Sequence, residues 1–250
     1  MKKIHEVEWA EEKIKSLWEM YETLPELSEG MFLPADFYKC VIKNVKKFFR
    51  LPGKALDIGC GIGTLMDELY NIGFEVYGCD VSRQNIKSLK EKFSSLNKNI
   101  ILKEGSITNL PLVTCFFDYV FVTEVLEHLL PDTLEKGLKE IKRVLKPLGK
   151  VIITVPYKEN IQKVVCPDCY AVFPPSEHLA SFDEEKMKGI LTESGLKVEF
   201  CKLVPKIPLT GNKIKDFVKR FIALIDKRAI SFMYGSVFIT VASKQGCDQD

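Results

Sequence analysis

Short apolar runs alternate with longer stretches in which apolar residues return every three or four positions. Residues 9–24 carry Ile14, Leu17, Trp18 and Tyr21 at helical spacing, and residues 36–49 place Phe37, Val41, Val45 and Phe48 on one face. Both read as amphipathic helices, the second stopped by Pro52-Gly53. From there the pattern changes to compact apolar runs separated by helical ones. Strands are predicted at 55–58, 74–79, 100–103, 119–122, 151–155, 197–203 and 236–242. Helices are predicted at 64–71, from the cap Ser82 to 93, from Asp132 or Thr133 to 145 with Pro147 and Gly149 closing it, and from Asp183 to about 195.

Strands alternating with helices imply an α/β fold, a doubly wound, mainly parallel sheet with helices on both faces. Ligands of such sheets bind at the carboxyl ends of the strands, where the winding direction switches. The chain reads as a single domain over 1–250, with helices in 1–50 as a cap. The stretches 156–182 and 204–235 break the alternation and are expected to shape an acceptor pocket. Within the second, residues 211–228 form a basic amphipathic pattern. It fits a lid helix with solvated charges, or a helix lying on an anionic surface.

The composition limits the options. A chain of 250 residues with 46% hydrophobic content buries one substantial core, and a net charge of +2 carries no strong signal for nucleic acid. No apolar run reaches the roughly 18 residues that span a bilayer. The charged start, MKKIHEVEWAEEKIK, lacks the apolar core of a signal peptide. The expectation is a cytosolic protein with no nucleic-acid partner and no integral membrane association; the sequence leaves its oligomeric state open. Its eight cysteines then read as mostly buried thiols, with Cys166 and Cys169 the only close pair.

The chemistry concentrates in LDIGCGIGTL, Leu56 to Leu65. A dinucleotide loop needs its third glycine one position later than Gly63, and a phosphate loop needs a lysine that is absent. Asp57 inside the strand would repel a pyrophosphate and attract a cation. An acid at the end of the second strand, Asp80, is placed to accept hydrogen bonds from two ribose hydroxyls. S-adenosylmethionine, with a sulfonium, an ammonium group and no phosphate, suits this set.

LDIGCGIGTL, VYGCDVS, FDYVFVTEVLEHL and VLKPLGKVIITVPY, in that order, resemble the class I S-adenosylmethionine-dependent methyltransferases, in the type 11-like branch that mostly modifies small molecules. The resemblance covers roughly residues 50–200. It implies a Rossmann-like seven-stranded sheet of order 3-2-1-4-5-7-6 with strand 7 antiparallel. It implies that Asp57, Gly59, Cys60, Gly61 and Gly63 line the methionine part of the cofactor. Asp80 would bind ribose, Val81 would lie against adenine, and Ser106 and Ile107 would lie beside the ring. Many relatives carry an acid at position 106; here the serine hydroxyl or a backbone group would substitute. Thr123 and Glu124 would form the floor between cofactor and acceptor.

The implied reaction is in-line methyl transfer to an oxygen or nitrogen of a small molecule. The alternatives are an RNA or protein methyltransferase, or a catalytically silent cofactor-binding subunit. His128 in EVLEHL is the candidate catalytic base, against a purely structural histidine. Cys166, Cys169 and His178 are candidate zinc ligands, because C-P-x-C lets two thiolates grip one ion. Here Pro174 stands where similar methyltransferases have a histidine after the phenylalanine. The other readings are a redox-inert pair in a loop or a strained occasional disulfide; without a metal, His178 becomes a candidate active-site residue.

Overall fold

The computed structural model describes residues 3–23, 32–205 and 236–246. The expected 204–235 segment, including the 211–228 pattern, lies outside the described residues apart from the end of one strand.

A seven-stranded sheet forms the centre. Its strands are β1 (Lys54–Ile58), β2 (Glu75–Asp80), β3 (Ile101–Glu104), β4 (Phe117–Thr123), β5 (Leu145–Pro156), β6 (Leu196–Pro205) and β7 (Ser236–Lys244). Across the sheet they run β3-β2-β1-β4-β5-β7-β6, with β7 antiparallel to both neighbours and the rest parallel. This is the expected order. Its switch point lies between β1 and β4, where the ends of adjacent strands diverge to opposite helical layers.

The helices are α1 (Glu11–Thr23), α2 (Ala35–Val45), α3 (Thr64–Asn71), α4 (Arg83–Ser95), α5 (Pro131–Val144) and α6 (Glu184–Glu193). Strand alternation feeds two cores. Leu56, Ile58, Val120 and Val122 pack toward α5 and α6, while Ala55, Tyr119 and Phe121 pack toward α2, α3 and α4. Each layer is a continuous apolar cluster, which removes both faces of the sheet from water. Gly78 in β2 is required for this packing, because a Cβ there would lie 2.4 Å from Met66 Sδ of α3.

Two caps fall at their expected positions. Ser82 Oγ accepts from Asn85 N at 3.0 Å, and Asp183 Oδ1 accepts from Lys186 N at 2.9 Å. The start of α5 differs: Leu130 is the cap residue and Pro131 opens the helix, ahead of Asp132 and Thr133. Proline lacks an N–H and already holds a helical φ, so the first turn needs no side-chain cap there. The end of α5 differs too. The chain passes directly from Val144 into β5, and Pro147 and Gly149 lie at a register shift within that strand, not in a separate loop. Gly149 sits so close to Phe117 O that a Cβ would be 3.0 Å from it.

A second, three-stranded sheet had no signal in the sequence. His5–Glu6 pairs in parallel with Ala171–Phe173, which pairs antiparallel with Val164–Val165. It ties the amino-terminal segment to the 156–182 insertion. Strands of two or three residues are too short for a period to register.

Candidate active site

The carboxyl ends of β1, β2 and β4 open into a cleft of about 610 Å³. Its lining runs from the glycine loop past Asp80 and Ser106 to His128 and His178. The volume is that of a small-molecule site.

The glycine loop turns tightly because its three glycines have φ of 70°, 48° and 79° at Gly59, Gly61 and Gly63. Other L residues pay a steric cost in this region. The loop is pinned by Gly59 N and Cys60 N donating to Cys79 O at 2.8 and 3.2 Å. Gly59 and Gly61 line the cleft with bare backbone, and Cys60 between them also lines it. Gly63 does not: it starts α3, and a Cβ there would meet Leu89 of α4 at 2.7 Å. Its role is helix packing, which spacing cannot distinguish from ligand contact.

Asp57 lies at 2% exposure behind the loop, outside the surface that lines the cleft. Burial, and then the charge of Asp80, push its pKa well above the ordinary carboxylate value. Its Oδ1 has no hydrogen-bond partner among the described residues. Tyr38 of α2 stands nearby, its pKa raised by burial and then by Asp57, with Thr123 hydrogen-bonded to it.

Asp80 is better satisfied. Its Oδ2 accepts from Gly61 N at 2.8 Å and its Oδ1 from Ser82 N at 2.9 Å. Burial still leaves its pKa raised, although these bonds and one from Asn85 oppose the shift. These three bonds fill three of the roughly four acceptor positions of the carboxylate and leave one for a ligand hydroxyl. Val81, Ile107, Thr123 and Glu124 share the cleft wall with it. Glu124 has a φ of 54°, and its side chain accepts from Thr154 Oγ1 at 2.9 Å.

Ser106 gains a partner that was not foreseen. Its hydroxyl donates to Glu11 Oε1 of α1 at 2.7 Å, and Thr108 Oγ1 donates to the same atom at 3.0 Å. An acid therefore stands beside position 106 after all, supplied from a different element. The apolar stripe of α1 also serves the site, since Ile14, Trp18 and Tyr21 line the cleft. The sequence assigns this helix to a cap, but a stripe of this kind reads equally as core contact, so the spacing does not identify these three residues as pocket wall.

At the far end stand His128 and His178, rings edge to face at 4.8 Å. Trp18 packs edge-on to His128 at 5.1 Å. His128 Nδ1 lies 3.2 Å from Glu177 O. Burial, and then His178, push its pKa down to about 4, so it is neutral at pH 7. His178 Nδ1 is paired with the Glu159 carboxylate. Glu177 accepts from the Tyr21 hydroxyl, whose pKa is pushed up to about 12, chiefly by burial.

His178 thus joins the cleft and not the cysteines. Among the described residues, three metal-ligating side chains converge only at Glu127, His128 and His178. Cys166 and Cys169 sit at the turn between Val164–Val165 and Ala171–Phe173, where Tyr170 N donates to Cys166 O at 2.9 Å. The chain after this hairpin carries His178 to the cleft, where Leu179 N and Ala180 N donate to Glu127 O at 2.7 and 3.1 Å. Among the described residues, no helix is long and apolar enough to cross a membrane.

Residues 56–153 match the family described as a methyltransferase domain. The rat mitochondrial ubiquinone biosynthesis O-methyltransferase is 32% identical over 169 residues, 63% of this chain and 48% of that protein. This chain therefore spans about half the length of that relative. An uncharacterized protein of Methanocaldococcus jannaschii is 30% identical over 168 residues, 66% of this chain and 67% of that one. Among solved structures, the 1,6-didemethyltoxoflavin-N1-methyltransferase of Burkholderia thailandensis, with 1,6-didemethyltoxoflavin and S-adenosylhomocysteine bound, has the same fold. Its TM-score is 0.65 at 14% identity, covering 97% of this chain and 93% of that one.

Proposed function

As the chain belongs to the class I S-adenosylmethionine-dependent methyltransferases of the type 11 kind, we propose that it transfers a methyl group to an oxygen or nitrogen of a small-molecule acceptor. The observation that carries this reading is the pairing of a buried, hydrogen-bond-deficient Asp57 oxygen with the bare backbone of the adjacent glycine cradle. A cofactor with a cationic amino-acid end fits both features. A Cβ on Gly59 or Gly61 would fill the space such a group needs.

In this reading Asp57 faces the ammonium group across the loop, Gly59 and Gly61 allow close approach, and Asp80 accepts from a ribose hydroxyl at its remaining position. Val81 and Ile107 flank the adenine, with Ser106 and Glu11 at its edge. When bound, S-adenosylmethionine supplies an electrophilic methyl group on a positively charged sulfur. The transfer is an in-line displacement, so the protein contributes mainly alignment and exclusion of water. Thr123 and Glu124 lie between the two halves of the cleft. His128, held neutral with its Nδ1–H on Glu177 O, offers Nε2 as a hydrogen-bond acceptor to the O–H or N–H of the acceptor. A pKa of about 4 makes it a weak base, so it orients the acceptor lone pair more than it abstracts the proton.

The size of the cleft and its cover by α1 favour a small acceptor over RNA or a protein chain. The test is transfer of labelled methyl from S-adenosylmethionine into cell extract fractionated into small molecules, lipids, RNA and protein. Label in the small-molecule fraction is expected. Label confined to RNA or protein overturns the acceptor class and keeps the chemistry.

A further inference from the structure

We propose that Glu127, His128 and His178 form a binding site for one divalent transition-metal ion at the acceptor end of the cleft. One potential ligand atom from each lies within 4.8 Å of the others, and all three residues line the cleft. Bonds of about 2.0–2.2 Å would place such atoms roughly 3–3.5 Å apart around an ion, so side-chain rotation must close the widest gap by about 1.3–1.8 Å.

The hydrogen bonds behind the histidines support a ligand role. Glu177 O is a carbonyl oxygen and can only accept, so His128 Nδ1 carries the hydrogen and Nε2 carries the lone pair. His178 Nδ1 donates to the Glu159 carboxylate in the same way, which again leaves Nε2 as the donor to an ion. Metal-bound histidines are typically held by a carbonyl or carboxylate on the other ring nitrogen. Here two neighbouring histidines both have that arrangement. Glu127, at 1% exposure, adds a carboxylate beside them. Two imidazoles and one carboxylate suit zinc, cobalt, manganese or ferrous iron better than the all-oxygen preferences of magnesium and calcium.

The scaffold is rigid for this purpose. Leu126–His128 forms a 3-10 turn directly after β4, with Leu126 fully buried. The backbone bonds from Leu179 N and Ala180 N to Glu127 O join it to the segment that carries His178. Three protein ligands leave at least one position facing the cleft. There the ion, occupying His128 Nε2, would replace the direct hydrogen bond from the acceptor, hold the acceptor oxygen and lower the pKa of its hydroxyl; this role, unlike the binding, rests on the methyl-transfer reading.

The experiment uses the full chain in a Trp9→Phe background, stripped of metal with a chelator and titrated with Co²⁺ alone. Trp18 is then the one indole, 5.1 Å from His128, and reports the ion by quenching. We expect one equivalent bound per chain, confirmed by equilibrium dialysis. Affinity should fall at least tenfold in His178→Ala and about tenfold in Glu159→Gln, which only removes the charge behind the ring. The double variant Cys166→Ser/Cys169→Ser should bind as the parent does. No saturable binding, binding undiminished in both His178→Ala and Glu159→Gln, or binding lost in the cysteine variant would each overturn the site. Calorimetry with S-adenosylmethionine on the same protein separates the two readings: cofactor binding without a Co²⁺ site sinks only the ion.

Discussion

Ser106 and Glu11, 95 residues apart in sequence, meet at 2.7 Å and fasten the first helix to the rim of the cleft. The bond places a carboxylate at the edge where an adenine amino group would need an acceptor. Glu11→Ala should weaken S-adenosylmethionine binding by about 2–10-fold, the range of one hydrogen bond. The residue is exposed, so Tm should barely move. Unchanged affinity by calorimetry would show that Glu11 only ties down α1.

Asp57 gives opposite signs for stability and binding. Burial raises its pKa in the folded protein. A raised folded pKa contributes stability below the unfolded value, and that contribution is lost as pH rises through the folded value. Above the unfolded value, burial of this carboxyl is therefore a cost, and Asp57→Asn should raise Tm there. The same change should cut cofactor affinity by tenfold or more, about 1.4 kcal/mol. In the parent protein, affinity should fall as pH drops through the raised pKa, because a protonated carboxyl no longer attracts an ammonium group. Thermal melts and calorimetry across pH check both halves; a pH-independent affinity sinks the assignment.

Gly59→Ala combines two costs. Its φ of 70° disfavours any Cβ, and that Cβ would lie 2.6 Å from Val125 Cγ2. Backbone strain alone costs about 1–2 kcal/mol. Cofactor binding should be lost and Tm lowered. Adding Val125→Ala relieves the clash and not the strain, so Tm should recover only in part. Full recovery would mean that the loop tolerates a side chain at Gly59.

Asp67 links α3 to α4 and the turn beyond it, with Lys92 Nζ and Lys98 Nζ each 2.7 Å from one of its oxygens. Burial alone would raise its pKa, but the hydrogen bonds from Lys92 and Lys98 win and hold it below the ordinary value of 3.8. The stabilisation is present above pH 3.8 and disappears as pH falls through the depressed folded value. Asp67→Asn should cost roughly 1 kcal/mol at pH 7, since partly exposed ion pairs contribute little more. The deficit measured by urea unfolding should vanish in acid; a constant deficit would point to packing instead.

The order of helices and strands was legible because each uses a distinct period, 3.6 or 2, and because the β-branched run Val151–Val155 suits only a strand. LDIGCGIGTL and the acid Asp80 were legible as a ligand loop because glycine at left-handed φ and a carboxylate at a strand end leave local signatures. The limits of local reading show at Gly63 and at Pro147: the one packs a helix and the other sits inside a strand, and nearest-neighbour chemistry could not tell.

What the chain determined by itself was therefore the alternation, the sheet class and the glycine cradle, all set by residues close in sequence. The tertiary structure decided which distant groups share one cleft. It brought Glu11 to Ser106, Tyr21 to Glu177, and His178 to His128 and not to Cys166 and Cys169. Those meetings depend on how the amino-terminal segment and the 156–182 insertion pack over the strand ends, through three short strands and two backbone bonds to Glu127. Long-range contacts of this kind arise from the burial of whole elements. No period or spacing along the chain records them.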